Sequence, residues 1–370
     1  MLDHQFNGSP FTIGVEEELM ILYAESFELA QEIEAVLAAV PESLSGQVKP
    51  ELMKSVLEVA TKPCPDVRTA GEQLEALRRE VTAICERQGL LIGASGTHPF
   101  ARWEDQEIVE RERYSELVDE LGYVARQELI FGTHVHVAIN GPNKAIYVAD
   151  GIRRYIPVLL GLSSNSPVWR GEVTGMMSTR TPIFRAFPRV GVPPHYGSWE
   201  IYSRRVELMM KAGAIEDYTY LWWDVRPHPN LGTVETRVFD QQTRLEHTIA
   251  LTALTASLAH RLAALFDREE PMVEYPTELI DDNKVRAAIN GTEGRLIDFR
   301  EGSQVPAPEM VRRMLDQLAE HAQELGCEAE LAGVEDLIEN GTGARRQIDM
   351  HERNGDVRAL VREIADHTRP

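Results

Sequence analysis

Polar residues at alternating positions in three short β-like segments constrain this chain more than any other feature. The segments are Gly14–Leu19 (GVEEEL), Gly132–Val137 (GTHVHV) and Val234–Phe239 (VETRVF). Residues two apart in a strand share a face. Glu16 with Glu18, His134 with His136, and Glu235 with Arg237 therefore present polar pairs to one side, while Val15, Val135, Val137, Val234 and Val238 point to the other. The implied unit is a sheet with one apolar face and one reactive face. Collecting carboxylates and imidazoles on a partly buried surface is costly in desolvation unless positive charge neutralises them. Divalent cations answer that demand economically.

A fourth segment, Pro50–Thr61 (PELMKSVLEVAT), adds two acids. Glu58 lies in a β-branched run and Glu51 seven residues before it. An odd spacing cannot put both carboxylates on one face of a single strand, so a turn between them is required. Each element alone has an ordinary explanation: a solvated edge strand for the acidic triplet, core histidines for His134 and His136, a same-face ion pair for Glu235 and Arg237. Their joint occurrence in one chain is what points to a site.

Length and charge narrow the class. The chain has 370 residues with 43% hydrophobic content, enough for a substantial core, and a formal net charge of -21 that repels nucleic acid and anionic membrane. Small-molecule substrates are favoured, with no nucleic acid and no membrane among the expected partners; assembly into a homo-oligomer stays open. No uninterrupted apolar run reaches the roughly 20 residues of a bilayer span and the N-terminus lacks a signal-peptide pattern, so the expected location is cytoplasmic. Cys64, Cys85 and Cys327 are far apart and without zinc-site spacing, and are expected to be reduced and structural. Only six of the 38 basic residues are lysines, which leaves both salt adaptation and a GC-rich source open.

Hydrophobic spacing predicts helices over 27–40, 69–88, 245–266, 310–325 and 357–364, and a buried strand over 90–94. Residues 163–200 are rich in Pro, Gly, Ser and Arg and are too long for an idle connection, which suggests a substrate-binding loop or lid. A change of character at Arg268–Pro271 divides the expected organisation into a catalytic domain over 1–267 and a mostly helical C-terminal extension over 268–370, packed on it.

Taken together, Gly14–Leu19, Glu51–Thr61, Gly132–Val137, Trp222–Pro227 (WWDVRP) and Gly232–Phe239 resemble the carboxylate-amine ligases related to glutamate–cysteine ligase type 2, the YbdK-like branch of the glutamine synthetase superfamily. The resemblance runs from about 12 to 265. It implies an α+β fold whose catalytic antiparallel sheet is lined with metal-binding acids and flanked by helices. By position, it assigns Glu18, Glu51 and Glu58 to one magnesium and Glu16, His134 and Glu235 to a second. It turns His136 toward the ATP phosphates and Arg237 toward the phosphoryl group in transfer. A carboxylate-rich, cysteine-free donor set suits Mg2+ or Mn2+ rather than structural zinc.

The reaction implied is ATP-dependent ligation: glutamate is activated as an acyl phosphate and an amine such as cysteine displaces phosphate, giving γ-glutamylcysteine, ADP and phosphate. Among Arg180, Arg185, Arg189, Arg204 and Arg205, whose ordinary explanation is surface ion pairing, the first two flank Pro182 in the 163–200 segment and are the leading candidates to hold the amino-acid α-carboxylate or a phosphate, because a guanidinium grips either bidentately. Trp222, Trp223 and His98 each read as core or site. A phosphotransferase on the same scaffold and a metal-dependent amide hydrolase remain alternatives, as does a non-catalytic nucleotide or metal sensor.

Overall fold

A computed structural model describes residues 1–370, apart from the side chain of Asn354. Its centre is a seven-stranded sheet whose pairings are all antiparallel. The strands are β1 (Ile13–Tyr23), β2 (Val48–Pro50), β3 (Val56–Ala60), β4 (Leu90–Gly93), β5 (Gly132–Ala138), β6 (Val225–His228) and β7 (Thr233–Asp240). Their spatial order is β6-β7-β5-β1-β3-β2, with β4 on the second half of β1. The long β1 is the hub, pairing β5 and β3 along its first part and β4 along its last four residues.

The expected two-faced pattern sets how this sheet packs. Val15, Val135, Val137 and Val234 are at most 1% exposed and join one core cluster with Leu74, Leu251 and Leu254 from two helices, α1 (Val67–Arg87) and α2 (Leu245–Asp267). Asp66 caps α1 by accepting a hydrogen bond from the Thr69 amide at 2.7 Å. Among the described residues, α2 is the one helix long and apolar enough to cross a membrane by length and composition. That apolarity serves packing on two sides: Leu251, Leu254, Leu258 and Leu262 are essentially fully buried between the sheet and later helices.

The C-terminal third contributes α3 (Thr277–Asn290), α4 (Ala307–Leu325), a hairpin of Arg295–Asp298 with Ser303–Pro306, and further helices ending with Val357–Thr368. Val311, Met314 and Leu318 of α4 enter the same core cluster as α2. Gln347 bonds both the carbonyl and the side-chain oxygen of Asn165, at 2.9 and 2.7 Å, tying residue 347 to the start of the 163–200 segment.

One expected helix is much shorter than its pattern. Over 27–40 only Ile33–Ala38 is helical. Phe27 sits at φ 58°, Leu29 bridges Leu22, and the Tyr23 amide donates to the Glu28 carbonyl, so the first residues extend the sheet edge. A tertiary edge overrides the helical spacing.

Candidate active site

Register places the polar residues opposite one another. Glu16 pairs with His134 across β1 and β5, Glu18 with Glu58 across β1 and β3, Glu235 with His136 across β7 and β5, and Arg226 with Glu235 across β6 and β7. Directly opposed residues bring their Cβ atoms to about 5 Å, so the pairing alone gathers these side chains on one face. The turn required between Glu51 and Glu58 spans the gap from β2 to β3 and brings Glu51 to the same side.

The result is a cleft of about 380 Å³ lined by Glu16, Glu18, Glu51, Glu58, His134, Arg180 and Arg237. Lys49, Arg113, Tyr114, Glu128, Phe184, Phe187, Trp222, Arg226 and His228 complete its walls.

One wall is acidic and thinly neutralised. Burial pushes Glu18 up to about 7, with Arg180 and the Gly132 amide pulling the other way; that amide donates to Glu18 Oε2 at 2.5 Å. Burial, then Glu58 and Glu18, hold Glu51 well above its usual range. Burial and Glu16 raise Glu58, which Lys49 contacts at 3.0 Å. Glu128 is pushed up to about 8, first by burial and then by Glu18.

The other wall is basic. Glu235 accepts from Arg226 at 2.8 Å and from Arg237, and although burial works to raise it, these two guanidiniums hold it well below the usual range. The register of β7 against β5 shifts between Thr236 and Phe239, and in this irregular stretch Val238 stays in the core while Arg237 turns to the cleft. The Arg237 amide is fixed on the Asp224 carbonyl at 2.8 Å. Arg180 lies against β5 at Gly132, where a Cβ would fall 2.5 Å from its Nη2. A side chain at 132 would displace the Arg180 guanidinium.

The histidines are poised as donors. His134 Nδ1 lies 3.1 Å from Glu16, and His136 Nδ1 lies 3.0 Å from Thr233 Oγ1, while both Nε2 atoms are buried without a hydrogen-bond partner. A histidine anchored through one nitrogen with the other left bare is the arrangement of a metal ligand. Burial, reinforced by Arg237, lowers His134 to about 4 and keeps it neutral. Its Nε2 stands 3.8 Å from Glu18 Oε1. Donor atoms of Glu16, His136 and Glu235 also lie within 4.8 Å of one another. The carboxylate oxygens and bare imidazole nitrogens therefore fit Mg2+ or Mn2+.

Two expectations change. Arg185 does not reach the cleft: its half-exposed side chain forks onto Asp281 of α3 at 3.0 and 2.6 Å, because the short helix Arg180–Phe184 carries positions 180 and 185 to different sides. His136 does not line the cleft either; the β5–β7 pairing seats it beneath the surface between Glu16 and Glu235, 3.7 and 3.8 Å away. The 163–200 segment does reach the cleft through Arg180, Phe184 and Phe187, and its base is anchored where Asp240 accepts from Ser166 and Ser178 at 2.6 and 2.8 Å. Trp222 faces the cleft edge-on to Phe187, whereas Trp223 packs against the core. His98 is buried away from the cleft, its Nε2 2.9 Å from the Phe27 carbonyl.

Sequence reasoning missed Lys49, Glu128 and Arg226. Arg226 carried a signal, since it faces Glu235 once WWDVRP and VETRVF are paired as a hairpin. Glu128, in an irregular stretch before β5, carried none.

The model of glutamate-cysteine ligase family 2 matches residues 12–363. A Rubrobacter xylanophilus chain, provisionally named glutamate–cysteine ligase 2-1, is 42% identical over 100% of this chain and 98% of its own length. A Sorangium cellulosum chain, provisionally named glutamate–cysteine ligase 2, is 40% identical over 97% of this chain and 96% of its own. The glutamate–cysteine ligase of Francisella tularensis, solved in complex with AMP, superposes with a TM-score of 0.69 at 13% identity, over 100% of this chain and 90% of that one. A bifunctional glutathione synthetase from Pasteurella multocida gives 0.70 at 16% identity, over 97% of this chain and 51% of that one; at such identities the likeness is one of fold. The chain belongs to glutamate-cysteine ligase family 2 and is an ATP-dependent ligase on that family's α+β scaffold.

Proposed function

We propose that the enzyme joins the γ-carboxylate of glutamate to an amine, with cysteine the leading second substrate, through an acyl phosphate made from ATP. The observation that carries this reading is the two-walled cleft: Glu18, Glu51 and Glu58 converge on one side, Arg180, Arg226 and Arg237 on the other. Phosphoryl transfer asks chiefly for charge neutralisation and alignment around the moving group. We assign Glu18, Glu51 and Glu58 to one divalent ion and Glu16, His134 and Glu235, with His136 adjoining, to a second; Mg2+ or Mn2+ bound there supplies Lewis-acid neutralisation of the phosphates.

Arg237, held by Glu235 and by its backbone bond to Asp224, keeps its planar fork aimed at the space where equatorial phosphoryl oxygens gather charge. Arg180, packed on Gly132 and over the Phe184 ring at 5.5 Å, has a buried Nε without a partner and offers a carboxylate grip for glutamate. Glutamate's γ-carboxylate oxygen attacks the terminal phosphorus and ADP leaves. The amine nitrogen then attacks the acyl carbon, phosphate departs with the bonding pair, and the amine proton passes to solvent or a cleft carboxylate. No covalent bond to the protein is required.

The test incubates enzyme, Mg-ATP and glutamate, then adds candidate amines singly. Phosphate release that needs both glutamate and one amine supports the ligase. A stable phosphorylated product with no amide would replace it with a phosphotransferase, and amide cleavage without ATP with a hydrolase. Arg180→Ala should raise the KM for glutamate more than that for ATP.

A further inference from the structure

Outside the cleft, two helices bring together a second set of metal-type donors. His260 of α2 faces His321 and Glu324 of α4, the latter two three residues apart on one helical face. The separations are 3.0 Å between the two Nδ1 atoms, 3.5 Å from His260 Nδ1 to Glu324 Oε2, and 3.8 Å from His321 Nδ1 to the same oxygen. Ligands about 2.0–2.2 Å from a tetrahedral zinc-type ion stand about 3.3–3.6 Å apart. The triangle brackets that span, each edge within about 0.3 Å of it.

We propose that His260, His321 and Glu324 form a binding site for a borderline-soft divalent transition metal such as Zn2+ or Co2+, which clamps α4 to α2. Two observations bear on the ligand. First, the two rings aim the same nitrogen at one point, their Nδ1 atoms 3.0 Å apart. In the ion-free protein one Nδ1 carries a proton and donates to the other. On binding, that proton moves to its own ring's Nε2, so both Nδ1 lone pairs are freed without net proton release.

Second, the surroundings orient the rings and leave one position open. His260 rests on the Phe11 ring with centroids 4.5 Å apart, and both imidazoles are mostly buried, while the Glu324 side chain is 53% exposed. Solvent can thus supply a fourth ligand. Arg261 and Glu320 also act on His321, in opposite directions. Two imidazoles and one carboxylate favour Zn2+ or Co2+ over Mg2+, which prefers all-oxygen sets. The cleft and this site are separable by substitution at His260, His321 or Glu324.

The experiment compares wild type, His260→Ala, His321→Ala and Glu324→Gln in a large excess of Mg2+, which occupies oxygen sites, with Co2+ as the titrant. Equilibrium dialysis should show wild type holding one more Co2+ than either alanine variant, with a tetrahedral-type visible spectrum that the alanine variants lose. Glu324→Gln, half exposed and therefore safe for folding, should bind at least tenfold more weakly. Co2+ should raise the Tm of wild type by several degrees more than that of His321→Ala. Equal stoichiometry and identical spectra in all four proteins would overturn the site.

Discussion

Three consecutive glutamates on β1 should give two unrelated phenotypes, and the middle residue tests the strand argument most severely. Glu16 and Glu18 line the cleft, whereas Glu17 points through the sheet to the helical side and is fully buried. Its carboxylate accepts from Arg78 of α1 at 2.7 and 2.6 Å, from Gln241 at 3.0 Å and from Thr248 of α2 at 2.7 Å. Arg78, also without exposure, donates further to the carbonyls of Gln242, Thr243 and Thr368. One buried ion pair therefore joins the central strand, both long helices and the C-terminus.

Glu17→Gln keeps size and an acceptor but leaves the guanidinium charge unpaired in a dry setting. Breaking one side of a buried pair costs about 3–5 kcal/mol, against a total stability of about 5–15 kcal/mol. With about 2–4 °C lost per kcal/mol, the melting temperature should fall on the order of 10 °C. Glu16→Gln should leave melting nearly unchanged and depress turnover instead. Thermal melts and urea titrations, run beside amide synthesis per folded molecule, separate the two. A Glu17→Gln protein less than about 1 kcal/mol below wild type, with turnover as damaged as in Glu16→Gln, would refute the face assignment and with it the reading of the triplet.

Arg237→Lys should lower kcat on the order of 100-fold while changing the KM for ATP and the Tm little, because a planar fork stabilises the transition state in a way an ammonium does not; near-normal kcat would return Arg237 to a plain ion pair. Without divalent ions, the folded carboxyls of Glu18 and Glu128 sit at about 7 and 8. Their stability contribution is thus present below the unfolded value and is lost as pH rises through 7–8, by roughly 3–5 kcal/mol each at most. Mg2+ should accordingly raise the Tm more at pH 8.5 than at pH 6, and equal shifts at both would contradict the cluster. Burial lowers His98 to about 4, and its Nδ1 accepts from the Ala101 amide at 3.0 Å, so the neutral ring is the one that fits. Its contribution of about 3 kcal/mol is present above pH 6.5 and lost as pH falls toward 4; urea midpoints at pH 7.5 and 5 should differ less in His98→Gln than in wild type.

Much of the site was legible because period-two patterning is a local property. Val15, Val135 and Val137 against Glu16, His134 and His136 fix which face is reactive without knowledge of strand order. The odd spacing of Glu51 and Glu58 foretold a turn for the same reason. What escaped depends on non-local pairing. That His134 lines the cleft while His136 sits between Glu16 and Glu235 follows from the pairing of β5 with β1 and β7, which no single segment encodes. Arg180 and Arg185 look alike in a Pro-containing loop, and only the short helix and Asp281 separate them. Glu128 enters the cleft from an irregular stretch whose path is set by tertiary packing.

The distribution of partners also explains why the cleft is divided as it is. The arginines Arg226, Arg237 and Arg180 are pre-positioned, the first two by the Glu235 carboxylate they share and Arg180 by Gly132 and the Phe184 ring. Asp224, whose carbonyl fixes Arg237, is itself held by buried Lys284 of α3 at 2.8 Å, so the C-terminal third braces this wall. The acidic wall has the opposite character, since Lys49 contacts Glu58 alone and Glu18 and Glu128 feel Arg180 and Arg237 only at a distance, while burial keeps all three carboxyls raised. Repulsion left unrelieved in the folded chain is free energy held in reserve for a bound cation, because ion binding then removes a penalty as well as adding contacts. A rigid positive wall facing an electrostatically strained negative one lets divalent ions bind first and the phosphoryl group be clamped between ion and guanidinium. Lys284→Met should therefore loosen Arg237 and lower kcat while leaving Mg2+ affinity unchanged, and a variant that loses Mg2+ affinity instead would show that the two walls are not independent.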